Sequence, residues 1–129
     1  MRNEERGTNL FMTQDLRKRT KDFALRIIRL YSFLPESTVA QVIGKQVLRS
    51  GTSVGAHYRE AFRSRSDAEF ISKIQGGLQE LEETVYWFEL LIESELVSEK
   101  RLKNLLQEAS ELTAIFITSV NKAKQKQRK

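Results

Sequence analysis

Apolar residues recur at alternating steps of three and four positions along almost the whole chain. Four such stripes run through residues 16–34, 43–61, 71–92 and 102–119. This spacing places the apolar side chains of each segment on one face of an α-helix. No segment shows the strict alternation of apolar and polar residues that is typical of a half-buried strand. The pattern therefore predicts an all-α protein.

Local signals mark the ends of these helices. Pro35 is expected to end the first helix, because its ring disfavours helical geometry in the residue before it. Ser37 and Ser98 are placed to cap the second and fourth helices. The clearest signal is the pair Ser66 and Glu69, whose S-x-x-E spacing is that of a capping box at the start of the third helix.

These signals divide the chain into a leader, a bundle and a tail. The predicted helices occupy about residues 13–34, 37–64, 67–95 and 98–121. Residues 1–12 lack apolar periodicity and are expected to form a flexible leader, and the lysine-rich residues 122–129 a basic tail. Short turns make neighbouring helices run in opposite directions, so the expected fold is an antiparallel up-down-up-down four-helix bundle over residues 13–121.

Length and composition limit the classes of protein that fit this pattern. The 129 residues suffice for one domain with a single core. The chain has no cysteine and one histidine, which excludes disulfides, thiolate chemistry and a metal site built from histidines on two helices. No apolar run reaches the roughly 18 residues of a membrane span, and no signal-peptide core follows the charged start. We therefore expect a cytoplasmic protein without a membrane partner.

The net charge of +5 conceals an uneven distribution. Residues 67–99 hold nine acidic side chains and only one basic one, Lys73, for a net charge of −8. The three other segments are basic and together carry +13. A molecule with such opposed charges is suited either to binding a polyanion on one side or to packing against copies of itself.

Three stretches carry a family pattern: RSGTSVGAHYREA at residues 49–61, EFI at residues 69–71 and YWFELL at residues 86–91. Over roughly residues 13–120 the chain resembles the bacterial four-helix-bundle family named after proteins encoded in intervening sequences of 23S ribosomal RNA genes. The positions that match the family pattern are Arg49, Ser50, Ser53, Val54, Glu60, Glu69, Phe70, Ile71, Tyr86, Trp87, Leu90 and Leu91. His57 stands where the family has asparagine.

The resemblance implies the four-helix bundle and a homopentameric ring. It also implies kinship with accessory proteins of diversity-generating retroelements, which bind nucleic acid and a reverse transcriptase. It brings no settled biochemical activity with it, so the function has to be sought in the residues themselves.

Basic residues suited to holding phosphates fall into two groups. Those on the first two helices are Arg26, Arg29, Arg49, Arg59, Arg63 and Arg65, and those in the tail are Lys122, Lys124, Lys126 and Arg128. The first group is expected to form one basic stripe for nucleic acid. The alternative is a solvated face whose arginines pair with carboxylates of the third helix, since guanidinium suits carboxylate and phosphate equally well. The carboxylates in question are Glu80, Glu82, Glu83 and Glu89. For the tail, the alternative is a frayed, solubilising terminus.

The small residues of the second helix favour close packing over phosphate binding. The segment around Gly51 and Gly55 has neither the lysine nor the preceding strand of a phosphate-binding loop. Small side chains instead let two backbones approach closely. Each mid-helix glycine also weakens a helix by roughly 1 kcal/mol relative to alanine, so a kink or break is expected here.

The remaining motif residues also favour structural roles. His57, on the apolar stripe, is expected to be a hydrogen-bonded core residue, and Glu60 a buried partner for an arginine. Tyr86 and Trp87 lie in an apolar run and are expected to pack within or between subunits. No nucleophile–base pair, metal cluster or phosphate loop is visible, which argues against an enzyme, a cofactor and a small-molecule substrate.

Two hypotheses remain. The first is a non-enzymatic homo-oligomer that binds RNA or DNA, with weak phosphate contacts multiplied around a ring. The second is a structural scaffold that binds a protein partner. Its acidic third helix would meet the basic helices of a neighbouring copy head to tail.

Overall fold

Four long helices make up almost all of the structure, a computed structural model that describes the backbone of residues 3–128 and the side chains of residues 15–128. They are α1 (Asn3–Ser32), α2 (Thr38–Phe62), α3 (Asp67–Glu93) and α4 (Glu99–Arg128). No strand occurs within the described backbone. The prediction of an all-α, four-helix fold is confirmed. Residues 1, 2 and 129, which belong to the predicted leader and tail, lie outside the described residues.

The first and last helices are longer than predicted. α1 begins at Asn3, so the leader expected over residues 1–12 is helical from that point. α4 continues to Arg128 through the tail expected over residues 122–129. Apolar periodicity indicates which residues pack, and it does not measure intrinsic helix propensity. The lysines, glutamines and alanine of the tail are good helix formers, so this segment can be helical without an apolar pattern. Ala123 is buried, so the packed face of α4 also extends into this segment.

Serine side chains cap three helices as predicted. Ser37 and Ser98 each accept a hydrogen bond at 3.2 Å from the backbone N–H three residues later. Ser66 accepts the N–H of Glu69 at 3.1 Å, and the Glu69 carboxylate in turn accepts the N–H of Arg65 at 3.2 Å. The reciprocal arrangement of a capping box is therefore present, with its second bond made one residue before the cap.

The turn after α3 holds the chain in an unusual conformation. Glu95 has a φ of 62°, the one positive value for a non-glycine residue within the described backbone. Around it, the backbone N–H groups of Leu96 and Val97 both donate to the carbonyl of Leu91, at 3.0 and 3.1 Å. These bonds satisfy a backbone carbonyl at the end of α3. Glycine usually occupies the left-handed position in such a turn, because a Cβ is disfavoured there.

Contacts between helices show the direction in which each one runs. Along α2 and α3, Ser50 meets Thr84, and ten residues later Glu60 meets Lys73, so the two helices are antiparallel. Each helix packs against the next in the chain, and α1 touches α4 only over a short stretch. With turns of four or five residues between them, the four helices form an up-down-up-down bundle.

Glycines on α2 allow α1 to approach closely. A Cβ added to Gly44 would lie 2.6 Å from Cδ1 of Leu34, and one added to Gly51 would lie 2.1 Å from Cδ1 of Ile27. The close-packing interpretation is confirmed. The expected break is wrong, because α2 runs without interruption through both positions. Contact with α1 offsets the intrinsic helix-weakening effect of glycine.

A single core lies between the four helices. Phe23, Phe88 and Phe116, from α1, α3 and α4, are completely buried and fill its centre. Burying a side chain of this size stabilises the fold by roughly 1.5–3 kcal/mol relative to exposure. None of the helices, within the described chain, has the length and apolarity required to cross a membrane.

Candidate functional site

Seven of the ten predicted phosphate-binding cations gather at one end of the bundle, which we call the basic end. They are Arg59, Arg63, Arg65, Lys122, Lys124, Lys126 and Arg128. α2 and α4 run in the same direction, so both helices finish at this end, beside the turn that joins α2 to α3. All seven side chains are exposed.

The register of α3 against α4 places the two groups of cations at the same level along the bundle. A Cβ added to Gly77 would lie 2.7 Å from Cε2 of Phe116, so the two helices touch at this point. From there α3 runs back ten residues to Asp67, and α4 runs forward twelve residues to Arg128. Both distances are about 15–18 Å along the helix axis. The end of α4 therefore reaches the level of the α2–α3 turn.

The cations of the basic end lack carboxylate partners among the described side chains. None of the seven side chains forms an ion pair within the part of the chain that the structure describes. The nearby carboxylate of Glu60 pairs instead with Lys73 at 3.1 Å, and this hydrogen bond lowers the pKa of Glu60. Glu60 is exposed and its partner is a lysine, so its interpretation as a buried partner for an arginine is wrong.

Arg49 is held by α3 and does not belong to the basic end. Its guanidinium donates to Glu80 at 3.3 Å and also to Glu83, while its Nε donates to Gln46 at 3.3 Å. Glu83 accepts the indole N–H of Trp87 as well, at 3.2 Å. The hydrogen bond between Arg49 and Glu83 raises the pKa of the arginine and lowers that of the glutamate. Pairing with the acidic third helix, the alternative interpretation, therefore applies to Arg49.

Arg26 and Arg29 lie on another side of the bundle. Arg26 follows Arg19 by two helical turns and so shares its face, and Arg19 contacts Glu108 on α4. The glycines of α2 pack against a different flank of α1, where Ile27 lies. The six arginines of the first two helices therefore do not form one stripe. A role of Arg26 and Arg29 in binding phosphate stays a prediction separate from the basic end.

An ion cluster between α1 and α4 was not predicted from the sequence. Arg19 donates to both carboxylate oxygens of Glu108, at 2.5 and 3.1 Å, and to Glu111 at 3.2 Å. These hydrogen bonds raise the pKa of Arg19. One signal was present, because Glu108 and Glu111 are the only acidic residues in the last thirty and lie one turn apart.

Residues of the family pattern line the contact between α2 and α3. Ser50 and Thr84 are fully buried and share a hydrogen bond of 2.8 Å between their hydroxyls. Val54 lies in the core beside them, and Ser53 donates to the carbonyl of Arg49 at 2.7 Å. In this chain these residues of the pattern therefore serve the packing of α2 against α3 and the bonding of the α2 backbone.

Comparison with known proteins agrees with these positions. The 23S rRNA-intervening sequence protein pattern matches residues 12–118. The chain belongs to this family. It is also similar to the crystal structure of a protein with unknown function from the S23 ribosomal protein family of Bacteroides thetaiotaomicron VPI-5482. The two are 37% identical with a TM-score of 0.79, over 84% of this chain and 97% of that chain. No curated protein matches the chain.

In this member of the 23S rRNA-intervening sequence protein family, the imidazole ring of His57 packs against Gly76 of α3. A Cβ added to Gly76 would lie 2.8 Å from both Cε1 and Nδ1 of the imidazole, so the ring fits only because the residue opposite has no side chain. Nδ1 is buried and has no hydrogen-bond partner among the described residues. The expectation of a hydrogen-bonded core histidine is wrong for this nitrogen.

The two aromatic residues of the family pattern differ in exposure. Trp87 packs partly against the core, as expected, and its ring lies 5.0 Å from that of Tyr86 between centroids. Tyr86 is 51% exposed, so its outer part is open to a partner. Phe70, at the start of α3, is also partly buried against the core.

Proposed function

We propose that this 23S rRNA-intervening sequence protein is a non-enzymatic, cytoplasmic homo-oligomer that binds RNA or DNA through its basic end. The observation that carries the proposal is the presence at one end of the bundle of seven exposed cations that have no carboxylate partner among the described residues. Arg49 is already neutralised by α3, whereas these seven side chains are exposed and form no ion pair among the described residues, which leaves them available to phosphates.

The residue types of the basic end suit backbone phosphates. The planar guanidinium groups of Arg59 and Arg63, one turn apart, can each donate two hydrogen bonds to a phosphate. The lysines of α4 act as point charges. Phe62, the exposed aromatic residue between the arginines, has the guanidinium of Arg17 at 6.0 Å from its ring centre. We therefore propose binding that depends on charge and not on base sequence.

Oligomerisation strengthens such binding. A ring presents several basic ends at once, and each contact raises the effective concentration of the next. The homopentamer that the sequence resemblance implies is part of this proposal. So is kinship with the accessory proteins of diversity-generating retroelements, which would place the protein beside a reverse transcriptase.

The experiment compares two variants that each lose three exposed positive charges. Arg59→Gln/Arg63→Gln/Arg65→Gln removes them from the basic end, and Lys45→Gln/Lys100→Gln/Lys103→Gln removes them elsewhere. Fluorescence anisotropy with a labelled 30-nucleotide RNA and a DNA duplex in 50 mM salt should show at least about tenfold weaker binding for the first variant. The second should stay within about threefold of wild type. Wild-type protein that binds neither nucleic acid, or an equal loss in both variants, would contradict the proposal.

A structural scaffold that binds a protein partner is the second candidate. It is favoured by one observation, an open groove between α3 and α4 with an apolar lining and two carboxylates. If the protein is a scaffold without a nucleic acid partner, neither the wild type nor any variant should bind RNA or DNA in the anisotropy experiment, and the wild type should still be oligomeric.

A further inference from the structure

A groove of about 610 Å³ runs between α3 and α4 on the outer surface of the bundle. Its apolar lining comes from Leu78, Val85 and Tyr86 on α3 and from Ile117 on α4. Tyr86 is 51% exposed and Ile117 46% exposed. Large apolar side chains that remain half open to water in a concave surface mark a place where another molecule packs.

Two carboxylates give this groove its charge. Glu82 and Glu89 both line it, and neither forms an ion pair within the described part of the chain. On the other flank of α3, Glu80 and Glu83 are neutralised by Arg49. The acidic charge of α3 that is left uncompensated therefore includes the carboxylates of the groove.

The outer side of α1 carries the complementary pattern. Lys21, Leu25 and Ile28 follow one another at steps of four and three residues and form one stripe, with Arg29 beside it. Leu25 is 39% exposed and Ile28 47% exposed. Neither Lys21 nor Arg29 forms an ion pair among the described side chains. We call these four residues the α1 stripe.

The dimensions of the groove and the α1 stripe agree. Lys21 and Arg29 are eight residues apart, which is about 12 Å along a helix. Glu82 and Glu89 are seven residues apart, which is about 10.5 Å. In both surfaces, exposed apolar side chains lie near two like charges. The spacings of the two pairs of charges therefore agree to within about 1.5 Å, the rise of one helical residue.

We propose that the α3–α4 groove of one copy of this chain receives the α1 stripe of a second copy. The inference rests on the self-association included in the proposed function and assigns its interface. The chain itself supplies both complementary surfaces, which favours a second copy over a foreign partner as the occupant. The two surfaces lie on different faces, so the contact is head to tail and repeats from copy to copy until a ring closes.

Charge reversal on one side and then on both sides tests this interface. We expect Glu82→Lys/Glu89→Lys and Lys21→Glu/Arg29→Glu each to weaken association by at least tenfold, because like charges then face each other. The chain that carries all four substitutions should associate as wild type does. Mass is measured by size-exclusion chromatography with light scattering at equal protein concentration. Glu36→Lys/Glu99→Lys is the matched control and should keep the wild-type mass.

All four positions are on the surface, and far-UV circular dichroism confirms that each variant is folded. Ile28→Asp, which places a charge among the apolar residues of the stripe and leaves Lys21 and Arg29 in place, should also reduce the mass and serves as the second variant. A monomeric wild type, unchanged masses in the double variants, or failure of the fourfold variant to reassociate would overturn the interface. A wild-type protein that forms the oligomer but binds neither RNA nor DNA would instead contradict the proposed function and would leave the proposed interface unaffected.

Discussion

Arginines in the middle and at the end of α2 differ in whether they are paired with carboxylates. In the middle of the helix, Arg49 faces α3 and is bonded to Glu80 and Glu83. At the end of the helix, Arg59 and Arg63 form no ion pair among the side chains that the structure describes. The same side chain on the same helix therefore stabilises the fold in one place and remains free to bind a ligand in the other. Net charge does not distinguish these cases, whereas the topology of the bundle does.

In the contact between α2 and α3, polar side chains are paired both in the buried centre and at the solvent edge, unlike the cations of the basic end. Ser50 and Thr84 are bonded in the buried centre, and Arg49, Glu83 and Trp87 are linked at the solvent edge. Substitutions in this contact should change stability, whereas substitutions at the basic end should change binding.

The largest effect on stability is expected from Thr84→Val. This change leaves the buried hydroxyl of Ser50 with only a long contact of 3.5 Å to the carbonyl of Val47, and the loss of its side-chain partner should cost about 1–3 kcal/mol. Ser50→Ala/Thr84→Val removes both hydroxyls and should cost less than the sum of the single changes. Urea unfolding of the wild type and three variants measures this difference. Strict additivity would show that the hydrogen bond does not contribute as described.

A smaller effect is expected from Arg49→Gln, and it should depend on pH. The pair is half exposed, so its loss costs at most about 1 kcal/mol at neutral pH. Arg49 lowers the pKa of Glu83 in the folded state below its ordinary value of 4.5. The pair therefore stabilises the fold above that value, and its contribution is lost as the pH falls below it. Urea unfolding should show a gap between wild type and variant at pH 7 that narrows at pH 3.5. A gap that widens would contradict this assignment.

The smallest effect is expected from Glu95→Gly, which lies outside both regions and serves as their reference. Glycine adopts the left-handed conformation of this turn without strain, so the variant should be more stable than wild type by about 0.5 kcal/mol. Its binding to nucleic acid should be unchanged. Thermal unfolding and anisotropy check the two statements, and a less stable variant would show that the Glu95 side chain has a role of its own.

Local features of the fold could be predicted from the sequence, because their causes lie within a few residues. The capping of α3 by Ser66 and Glu69 depends on a spacing of three, and the apolar stripes depend on helical periodicity alone. Residues 3–12 are the exception, since a helix that carries no apolar stripe leaves no periodic signal. The end of α4 was missed for another reason, because its packed face there contributes only Ala123 among lysines and glutamines.

Contacts between distant segments could not be predicted. The pairing of Arg19 with Glu108 spans 89 residues and depends on how α1 is rotated against α4. That rotation also separates Arg26 and Arg29 from the arginines of α2. All seven cations of the basic end were identified from the sequence, but their meeting at one end follows from the register of α3 against α4.

The most direct test of the central claim is the salt dependence of RNA binding. Binding constants of the wild type and of Arg59→Gln/Arg63→Gln/Arg65→Gln are measured between 50 and 300 mM salt and plotted logarithmically. Each phosphate contact to a single strand contributes about 0.7 to the slope, so the loss of three contacts should make the slope of the variant about 2 units shallower. Equal slopes for the two proteins would contradict the assignment of the basic end as the site that binds nucleic acid.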